Sequence, residues 1–259
     1  MTVILLRHGV STSNTGHTLA GRTPGVELAE RGREQAQALA ERLAALPIAQ
    51  IVRSPLLRCE QTVAPLAEKL GLPPVVEDRL AEVEYGEWTG RKLADLVKEP
   101  LWQVVQRHAS GAIFPGGEGL AEMQVRSVAA IREHDRRLCA EHERDMLWLA
   151  CTHGDVIKAV LADALGIHLD GFQRIVAEPA SISVVRYAPT SPSVWRINDT
   201  GTDLSALAPK PDGQTEQSVP GGEVGNAAAT PMHGDNGNDQ AADVAGGADA
   251  TGDPRISHS

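Results

Sequence analysis

The sequence predicts an α/β protein, a three-layer αβα sandwich with a mainly parallel central sheet. Short, continuous apolar runs at residues 3–6 and 146–152 are typical of strands that are buried on both faces. Between such runs lie longer segments whose apolar residues recur at steps of three or four, which is typical of helices that cover a sheet. The repeated alternation of the two patterns predicts parallel strands with helices on both faces.

The first part of the chain follows this alternation. After the strand at residues 3–6, residues 28–46 predict an amphipathic helix. A short strand is predicted at residues 51–53, and Ser54 before Pro55 is suited to cap the start of a second helix. The predicted inward residues are Leu28, Gln35, Leu39, Leu43 and Leu46 in the first helix, and Val63, Leu66 and Leu70 in the second.

The second part of the chain repeats the pattern after a broken region. Residues 75–76 predict a third short strand, and glycines and prolines divide residues 79–117 into short helices and loops. A long helix is predicted next, with an inward stripe formed by Leu120, Met123, Ser127, Ile131, His134 and Leu138. The elements that follow the broken region are the helix at 120–143, the strand at 146–152, the helix at 155–165, and the strands at 182–187 and 194–198.

The last 58 residues differ from the rest in charge and composition. Residues 202–259 hold nine acidic and two basic side chains, so they carry −7 of the net charge of −10. They also contain nine glycines and no aromatic residue. Such a segment cannot bury enough apolar surface to offset its chain entropy. We therefore predict a folded domain at residues 1–201 and a disordered, acidic, Gly/Ala-rich tail at residues 202–259.

Composition also limits the partners and the location of the protein. The near-neutral body gives no electrostatic reason to expect nucleic acid or a membrane surface as a partner. No apolar run reaches membrane-spanning length, and the first residues do not resemble a signal peptide. Cys59, Cys139 and Cys151 are widely spaced and form no metal-binding pattern. We expect a cytoplasmic protein with reduced thiols and no metal or other cofactor.

Two predicted strands end in the same way, each with a histidine followed by a glycine. The first runs into Arg7-His8-Gly9 and the second into His153-Gly154. Ligand sites of α/β sheets lie at the carboxyl ends of strands. A lone histidine there is more often structural than catalytic, but two similar placements favour a functional site.

A further cation, Arg58, opens the helix that follows the strand at residues 51–53. A single arginine at this position would be interpreted as an ordinary surface residue. Two arginines and two histidines around one point, however, are suited to a dianionic phosphoryl group, because guanidinium groups hydrogen-bond its oxygens and stabilise charge during transfer. A neutral imidazole can then act as the nucleophile. What this set lacks is a proton donor for the leaving alkoxide.

Several motifs occur in order along the body. They are Arg7-His8-Gly9 with Asn14, Gly21, Ser54-Pro55-Leu56-Leu57-Arg58 with Thr62, Glu82 with Tyr85-Gly86 and Gly90, Pro115-Gly116-Gly117-Glu118, and His153-Gly154-Asp155. This set resembles the histidine phosphatase superfamily in its phosphoglycerate-mutase-like branch. The resemblance covers roughly residues 2–199, the whole predicted body.

The resemblance implies a role for each matched residue. His8 would be the nucleophile that forms a phosphohistidine, and Arg7, Arg58 and His153 would complete the phosphate pocket. Glu82 would be the general acid that protonates the leaving group and later helps to activate water.

Four further polar residues lie near these motifs. Asn14 matches a pocket-lining position of the family, and Ser11 would supply a second hydroxyl contact. Glu84 and Glu87 are the alternatives for the general acid; they rank lower because the family's carboxylate lies three residues before the aromatic-Gly pair. Glu118 is expected to cap or position the long helix.

Within the family the sequence favours hydrolysis over mutase activity. Mutases need extra cations for a second anionic group of the substrate, and they typically carry Arg and His after the general acid, where this chain has Val83 and Glu84. Residues 101–115 lack the paired arginines of mutases, and Val10 and Ala20 also depart from the mutase pattern. We predict a metal-independent phosphatase that acts on a small-molecule phosphate monoester. The alternatives are a phosphomutase of the phosphoglycerate mutase type and a weakly catalytic protein that binds phosphorylated ligands.

Other interpretations of the same residues carry less weight. Cys151 before His153 would suggest thiol catalysis, but it falls in a predicted buried strand. Paired histidines would suggest a metal site, but the adjacent arginines repel a cation. The strand at residues 194–198 is a candidate sheet edge for a homodimer. Four large side chains are candidates for an apolar wall around the substrate or for the core, which is the commoner role. They are Trp88, Trp102, Phe114 and Met123.

Overall fold

A six-stranded sheet forms the centre of the structure, a computed structural model that describes residues 1–142, 145–201, 216–218 and 224–226. Its strands are β1 (Thr2–Arg7), β2 (Ile48–Arg53), β3 (Val75–Val76), β4 (Leu147–Thr152), β5 (Ile182–Tyr187) and β6 (Pro192–Asp199). They lie in the order β3-β2-β4-β1-β5-β6. The first four pair in parallel, whereas β5 and β6 are antiparallel. The prediction of a mainly parallel sheet is confirmed.

Helices connect these strands as the periodicity predicts. They are α1 (Thr12–Thr15), α2 (Glu30–Leu43), α3 (Leu57–Leu70), α4 (Leu93–Leu96), α5 (Pro100–Arg107), α6 (Leu120–His142) and α7 (Gly154–Leu165). Short 3-10 turns interrupt the region between β3 and α6, as its glycines and prolines predict. Within the described ranges, none of the helices combines the length and apolar character needed to cross a membrane.

The two faces of the sheet are covered by different helices. Val3 and Leu5 of β1 belong to one buried cluster, which includes apolar side chains of α6 and α7. Ile4 and Leu6 belong to a second cluster with side chains of α2 and α3. Because successive strand residues point to opposite faces, this alternation separates the two helical layers and produces the predicted three-layer sandwich.

Two helix boundaries differ from the predictions. Helix α2 ends at Leu43, and Leu46, predicted to face inward, lies in the following turn and is 38% exposed. The N-cap of α3 is Leu56, which makes no side-chain cap hydrogen bond. Ser54 is therefore not the helix cap that the sequence predicted, and its hydroxyl has a different partner, described below.

The four large side chains with two possible roles are part of the core. Trp88, Trp102, Phe114 and Met123 are all buried, and the Trp88 and Trp102 rings stack with centroids 6.3 Å apart. Phe114 packs edge-on against Trp88 and Tyr85. All four side chains belong to one buried hydrophobic cluster, so the core interpretation holds.

The loop after β1 packs against helix α2 through a close backbone approach. A Cβ atom added to Gly32 would lie 2.1 Å from the Val10 carbonyl oxygen, well inside contact distance. A Cβ on Gly9 would lie 2.8 Å from the Gly32 carbonyl oxygen. Gly9 therefore lets helix α2 approach the loop that carries His8.

Gly32→Ala should destabilise the fold because the backbone of this loop must move to admit the methyl group. We expect the free energy of unfolding to fall by about 3 kcal/mol, at the upper end of overpacking effects. Urea unfolding followed by circular dichroism measures it. Gly119→Ala is the matched control, since its Cβ would meet Ala112 at an ordinary 3.5 Å. Equal losses in both variants would contradict the close-packing account.

Residues 202–259 lie outside the described residues except for one small strand pair. Strands β7 (Glu216–Ser218) and β8 (Val224–Asn226) are antiparallel to each other. Residues 229–259 lie wholly outside the described part. The predicted disordered tail stays a prediction.

Candidate active site

Three parallel strands deliver polar side chains to one edge of the sheet. In the register of the sheet, Arg7 of β1 lies opposite Thr152 of β4. The amide of His8 donates to the Thr152 carbonyl (3.0 Å), and that of Ser54 donates to the Cys151 carbonyl (2.9 Å). The first residues beyond β1, β2 and β4 therefore meet at their common carboxyl edge, where α/β proteins place ligand sites.

His8 is held in one orientation by two hydrogen bonds. Its Nδ1 lies 2.8 Å from the Gly9 carbonyl oxygen, which can only accept, so Nδ1 carries the proton. The Arg58 Nε–H donates to the His8 Nε2 atom at 3.2 Å, which requires a lone pair on that nitrogen. His8 is thus a neutral imidazole whose Nε2 lone pair is the nucleophilic position.

His153 lies beside His8 and takes the complementary tautomer. The ring centroids are 5.2 Å apart in an edge-to-face arrangement. Arg58 Nη2 donates to His153 Nδ1 (3.2 Å), so Nε2 carries the proton and donates to the Ser54 hydroxyl (2.7 Å). Ser54 therefore orients His153, a role that the sequence did not suggest because Ser-Pro indicated only a helix start.

Both imidazoles are kept unprotonated by their surroundings. Burial is the main cause that lowers the pKa of His8 well below 6.5, and the positive charges of Arg58 and Arg7 lower it further. Burial and Arg58 likewise lower the pKa of His153. At neutral pH the site therefore holds two neutral imidazoles and two guanidinium cations.

The two arginines occupy different depths. Arg58 donates from Nη2 to the Gly21 carbonyl at 2.9 Å, while its buried Nη1 has no hydrogen-bond partner in the described part of the chain. Arg7 is fully buried and donates from Nη1 to the Ala177 carbonyl at 2.7 Å. Arg58 thus keeps one donor available for a ligand oxygen, and Arg7 supplies positive charge from beneath.

A small cleft opens above His8 and Arg58. Ser11 and Asn14 are on its wall, joined in a capping box at the start of α1, where the Ser11 hydroxyl donates to Asn14 Oδ1 at 2.9 Å. The buried Arg7 and His153 are not on the wall. The lining residues are His8, Ser11, Asn14, Leu19, Ala20, Gly21, Arg58, Glu82 and Tyr85.

Glu82 enters the cleft from the loop before the core aromatics. The side chain is buried, and its Oε1 accepts a hydrogen bond from the Val83 amide at 2.9 Å. Burial first, and the nearby Asp155 carboxylate second, raise the pKa of Glu82 from 4.5 to about 7, against the opposing effect of Arg58 and Arg7. A carboxyl group that is protonated near neutral pH is suited to donate a proton.

The alternative carboxylates lie elsewhere. Glu84 and Glu87 are exposed, and Glu84 pairs with Arg22 at 3.0 Å. Glu118 accepts from Arg22 at 2.9 Å and also pairs with Arg126, whose Nη2 donates to the Glu82 carbonyl. Glu118 was expected to cap or position the long helix, whereas these contacts hold the loop that carries Glu82.

The surroundings of Cys151 do not suit thiol catalysis. Cys151 is fully buried, and burial raises the pKa of its thiol well above the ordinary value. Among the described residues, no group of three or more histidine, cysteine or carboxylate side chains is arranged to hold a metal ion. The predicted histidine and arginine set does come together. Asp155 was named only as part of a motif and was given no role, and Lys158 was missed, although a buried lysine in a mostly apolar helix was a visible signal.

Fold and site together define a histidine phosphatase, and the comparisons with known proteins agree. The family model of the histidine phosphatase superfamily (branch 1) matches residues 3–200. The chain belongs to this superfamily, as the motifs predicted.

Individual relatives carry two kinds of name. The "Probable phosphoglycerate mutase GpmB" of Yersinia pestis (strain Pestoides F) is 30% identical over 213 residues, which are 79% of this chain and 96% of the relative. A mycobacterial glucosyl-3-phosphoglycerate phosphatase structure is 29% identical with a TM-score of 0.67, covering 76% of this chain and 98% of that one. The α-ribazole phosphatase of Shigella flexneri, 22% identical with a TM-score of 0.67, covers 79% of this chain and all of that one and shares the fold. The names of the relatives therefore do not distinguish hydrolase from mutase activity, and the residues of the site must do so.

Proposed function

We propose that this protein is a phosphatase that hydrolyses small-molecule phosphate monoesters through a phosphohistidine on His8. The observation that carries the proposal is the composition of the cleft. Among the described residues, Arg58 is the one guanidinium on its wall, whereas a mutase must hold a second anionic group. The rest of the wall is a small set of hydroxyl, amide, apolar and carboxyl groups, which suits an uncharged organic part.

A further cation next to the cleft wall, Arg22, is already neutralised. Arg22 follows the lining residue Gly21, but its guanidinium pairs with Glu84 and Glu118 and donates to the Glu82 carbonyl. Val83, at a position where mutases typically carry arginine, is fully buried in the core. Once Arg58 binds the transferred phosphoryl group, a second phosphate or a carboxylate of the substrate would meet no further guanidinium on the cleft wall formed by the described residues, which favours hydrolysis over mutase activity.

The proposed reaction has two displacement steps. The His8 Nε2 lone pair attacks phosphorus, the phosphorus–oxygen ester bond breaks, and Glu82 transfers its proton to the leaving oxygen to give the alcohol. Water then attacks the phosphohistidine while the Glu82 carboxylate takes its proton. The phosphorus–nitrogen bond breaks, phosphate leaves, and Nε2 regains its lone pair. Arg58, with Arg7 beneath, stabilises the negative charge in both steps.

A panel of phosphorylated metabolites, assayed for phosphate release and for mutase products, tests the function. We expect phosphate release from monoesters with uncharged organic parts, unchanged by EDTA. Efficient interconversion of phosphoglycerates without net hydrolysis would support the mutase alternative. Binding of phosphorylated ligands without turnover would support the weakly catalytic alternative.

We also propose a homodimer formed through strand β6. This strand lies at one edge of the sheet, and its Trp195 and Ile197 side chains are 54% and 43% exposed. Light scattering should give twice the monomer mass, and Trp195→Lys should return the monomer, since a charge disfavours edge pairing. Val76→Lys, on the opposite edge strand β3, is the control that should leave the dimer intact. A monomeric wild-type protein would contradict the proposal.

We propose that residues 1–201 are the catalytic domain and residues 202–259 a solvated acidic tail, on the compositional grounds given above. A cytoplasmic location is supported by the state of the thiols, since Cys59, Cys139 and Cys151 are all free.

A further inference from the structure

A fully buried ion pair lies on helix α7, within the first turns after His153. Lys158 Nζ lies 3.2 Å from Asp155 Oδ1, and neither side chain is exposed. Lys158 also donates to Gln173 Oε1, and its ammonium lies 4.5 Å from the centroid of the Phe172 ring. Because taking two charges out of water is unfavourable, such a pair is weak evidence for a purely stabilising role.

The Asp155 carboxylate connects this pair to the cleft. Its Oδ2 accepts a hydrogen bond of 2.7 Å from the hydroxyl of Tyr85, which lines the cleft together with Glu82. The negative charge of Asp155 acts on Glu82, and the charge of Glu82 acts in turn on Lys158. Glu82, Asp155 and Lys158 therefore form one electrostatically connected buried set.

We propose that Asp155 and Lys158 are positioning residues that determine how much of Glu82 carries a proton at neutral pH. The inference rests on the proposed function, in which Glu82 donates that proton. Asp155 disfavours the ionised form of Glu82 because two carboxylates in one apolar site repel each other. Lys158, whose ammonium pairs with Asp155 at 3.2 Å, limits the negative potential that reaches Glu82.

The net charge of the buried site supports this arrangement. Arg7, Arg58 and Lys158 supply three positive charges and Asp155 one negative charge, which leaves +2 when Glu82 is protonated. A phosphoryl dianion then brings the site to neutrality. With the dianion bound, an ionised Glu82 would leave one uncompensated negative charge in the buried site, which is unfavourable. With the Asp155–Lys158 pair in place, the buried charges therefore balance when Glu82 is protonated and the phosphoryl group of the substrate is a dianion.

Other charged and titratable groups also face Glu82 and remain constant in the test. Arg58 and Arg7 oppose the rise in the Glu82 pKa, while two guanidinium groups bind its backbone carbonyl. The groups are Arg7 at the end of β1, His8 directly after it, Arg58 on α3, and Arg22 and Arg126 at the carbonyl.

The test is the pH dependence of kcat/KM for phenyl phosphate in two single variants with opposite expectations. Asp155→Asn removes the repelling charge, so the alkaline limb should move about one pH unit lower. Lys158→Met removes a cation, so the limb should move about one unit higher. The double variant should return toward the wild-type midpoint. Asp135→Asn removes a different buried carboxylate, which accepts a hydrogen bond from Trp148 Nε1, and should leave the midpoint of the alkaline limb unchanged.

A merely structural role would lower activity without moving the midpoint. Shifts in the same direction in both single variants, or no shift in folded Lys158→Met, would overturn the proposal. If Asp155→Asn does not fold, Lys158→Met and the double variant decide the matter alone.

Proton uptake on binding of inorganic phosphate, measured by calorimetry in buffers of different ionisation enthalpy, gives a readout without turnover. The pH at which uptake begins should fall in Asp155→Asn and rise in Lys158→Met. If the wild-type protein binds phosphate with these shifts but hydrolyses no ester, the proposed function fails while the role of the pair stands. Unchanged uptake in both variants would overturn the pair's role whatever the activity.

Discussion

His8→Ala should abolish turnover and with it the covalent intermediate. The structure presents a neutral imidazole with its Nε2 lone pair beside Arg58, and no other described side chain on the cleft wall offers a comparable nucleophile. We expect a loss on the order of 10⁴-fold or more in kcat/KM for p-nitrophenyl phosphate, because the covalent route is removed entirely.

The intermediate itself can be trapped. Acid quenching would hydrolyse a phosphohistidine, whereas base preserves it, so labelled substrate followed by alkaline denaturation should leave label on wild-type protein. The His8→Ala variant should carry none. His153→Ala is the informative comparison, since it removes the neighbouring imidazole but leaves the nucleophile in place. A base-labile adduct, or one that survives in His8→Ala, would assign the nucleophile elsewhere.

Glu82→Gln should have the second largest effect, and its size should depend on the leaving group. Phenyl phosphate releases a basic phenolate that needs a proton, whereas p-nitrophenolate leaves readily without one. We expect a loss on the order of 10² to 10⁴ for phenyl phosphate and a much smaller loss for p-nitrophenyl phosphate. Glu87→Gln, at an exposed carboxylate of the same loop, should change neither. Equal losses on the two esters would place the general acid at another residue.

The pH profile gives an independent test of the same residue. With the pKa of Glu82 raised to about 7, the acid form is present below that pH, so wild-type kcat/KM for phenyl phosphate should fall as the pH rises through 7. Glu82→Gln should lose this alkaline limb, because glutamine does not titrate. A limb that persists in Glu82→Gln would belong to another group.

The same shift has a consequence for stability. Because the folded carboxyl has the higher pKa, the folded protein binds more protons than the unfolded chain between pH 4.5 and about 7. The contribution of Glu82 is therefore fully present below pH 4.5 and is lost as the pH rises through 7. Glu82→Gln should raise the free energy of unfolding at pH 8 and leave it nearly unchanged at pH 4. This also shows that the variant folds.

Much of the fold was determined by local patterns in the sequence. Apolar runs and helical periodicity placed β1, β4, α6 and α7 nearly at their observed bounds, since burial on one or two faces imposes a period that the chain must satisfy. Boundaries were less accurate, as Leu46 shows, because the last turn of a helix depends on contacts with distant segments. The motifs around His8 and His153 also identified the family.

Only the tertiary structure decided how these residues work together. The tautomers of His8 and His153 depend on Arg58, which is 50 and 95 residues away along the chain. Ser54 looked like a helix cap until its hydroxyl was found against His153. The raised pKa of Glu82 and the buried pair of Asp155 and Lys158 result from burial and from charges on other elements. A sequence pattern records which residues must be apolar, but electrostatic effects depend on distance and dielectric environment, which exist only after the chain has folded.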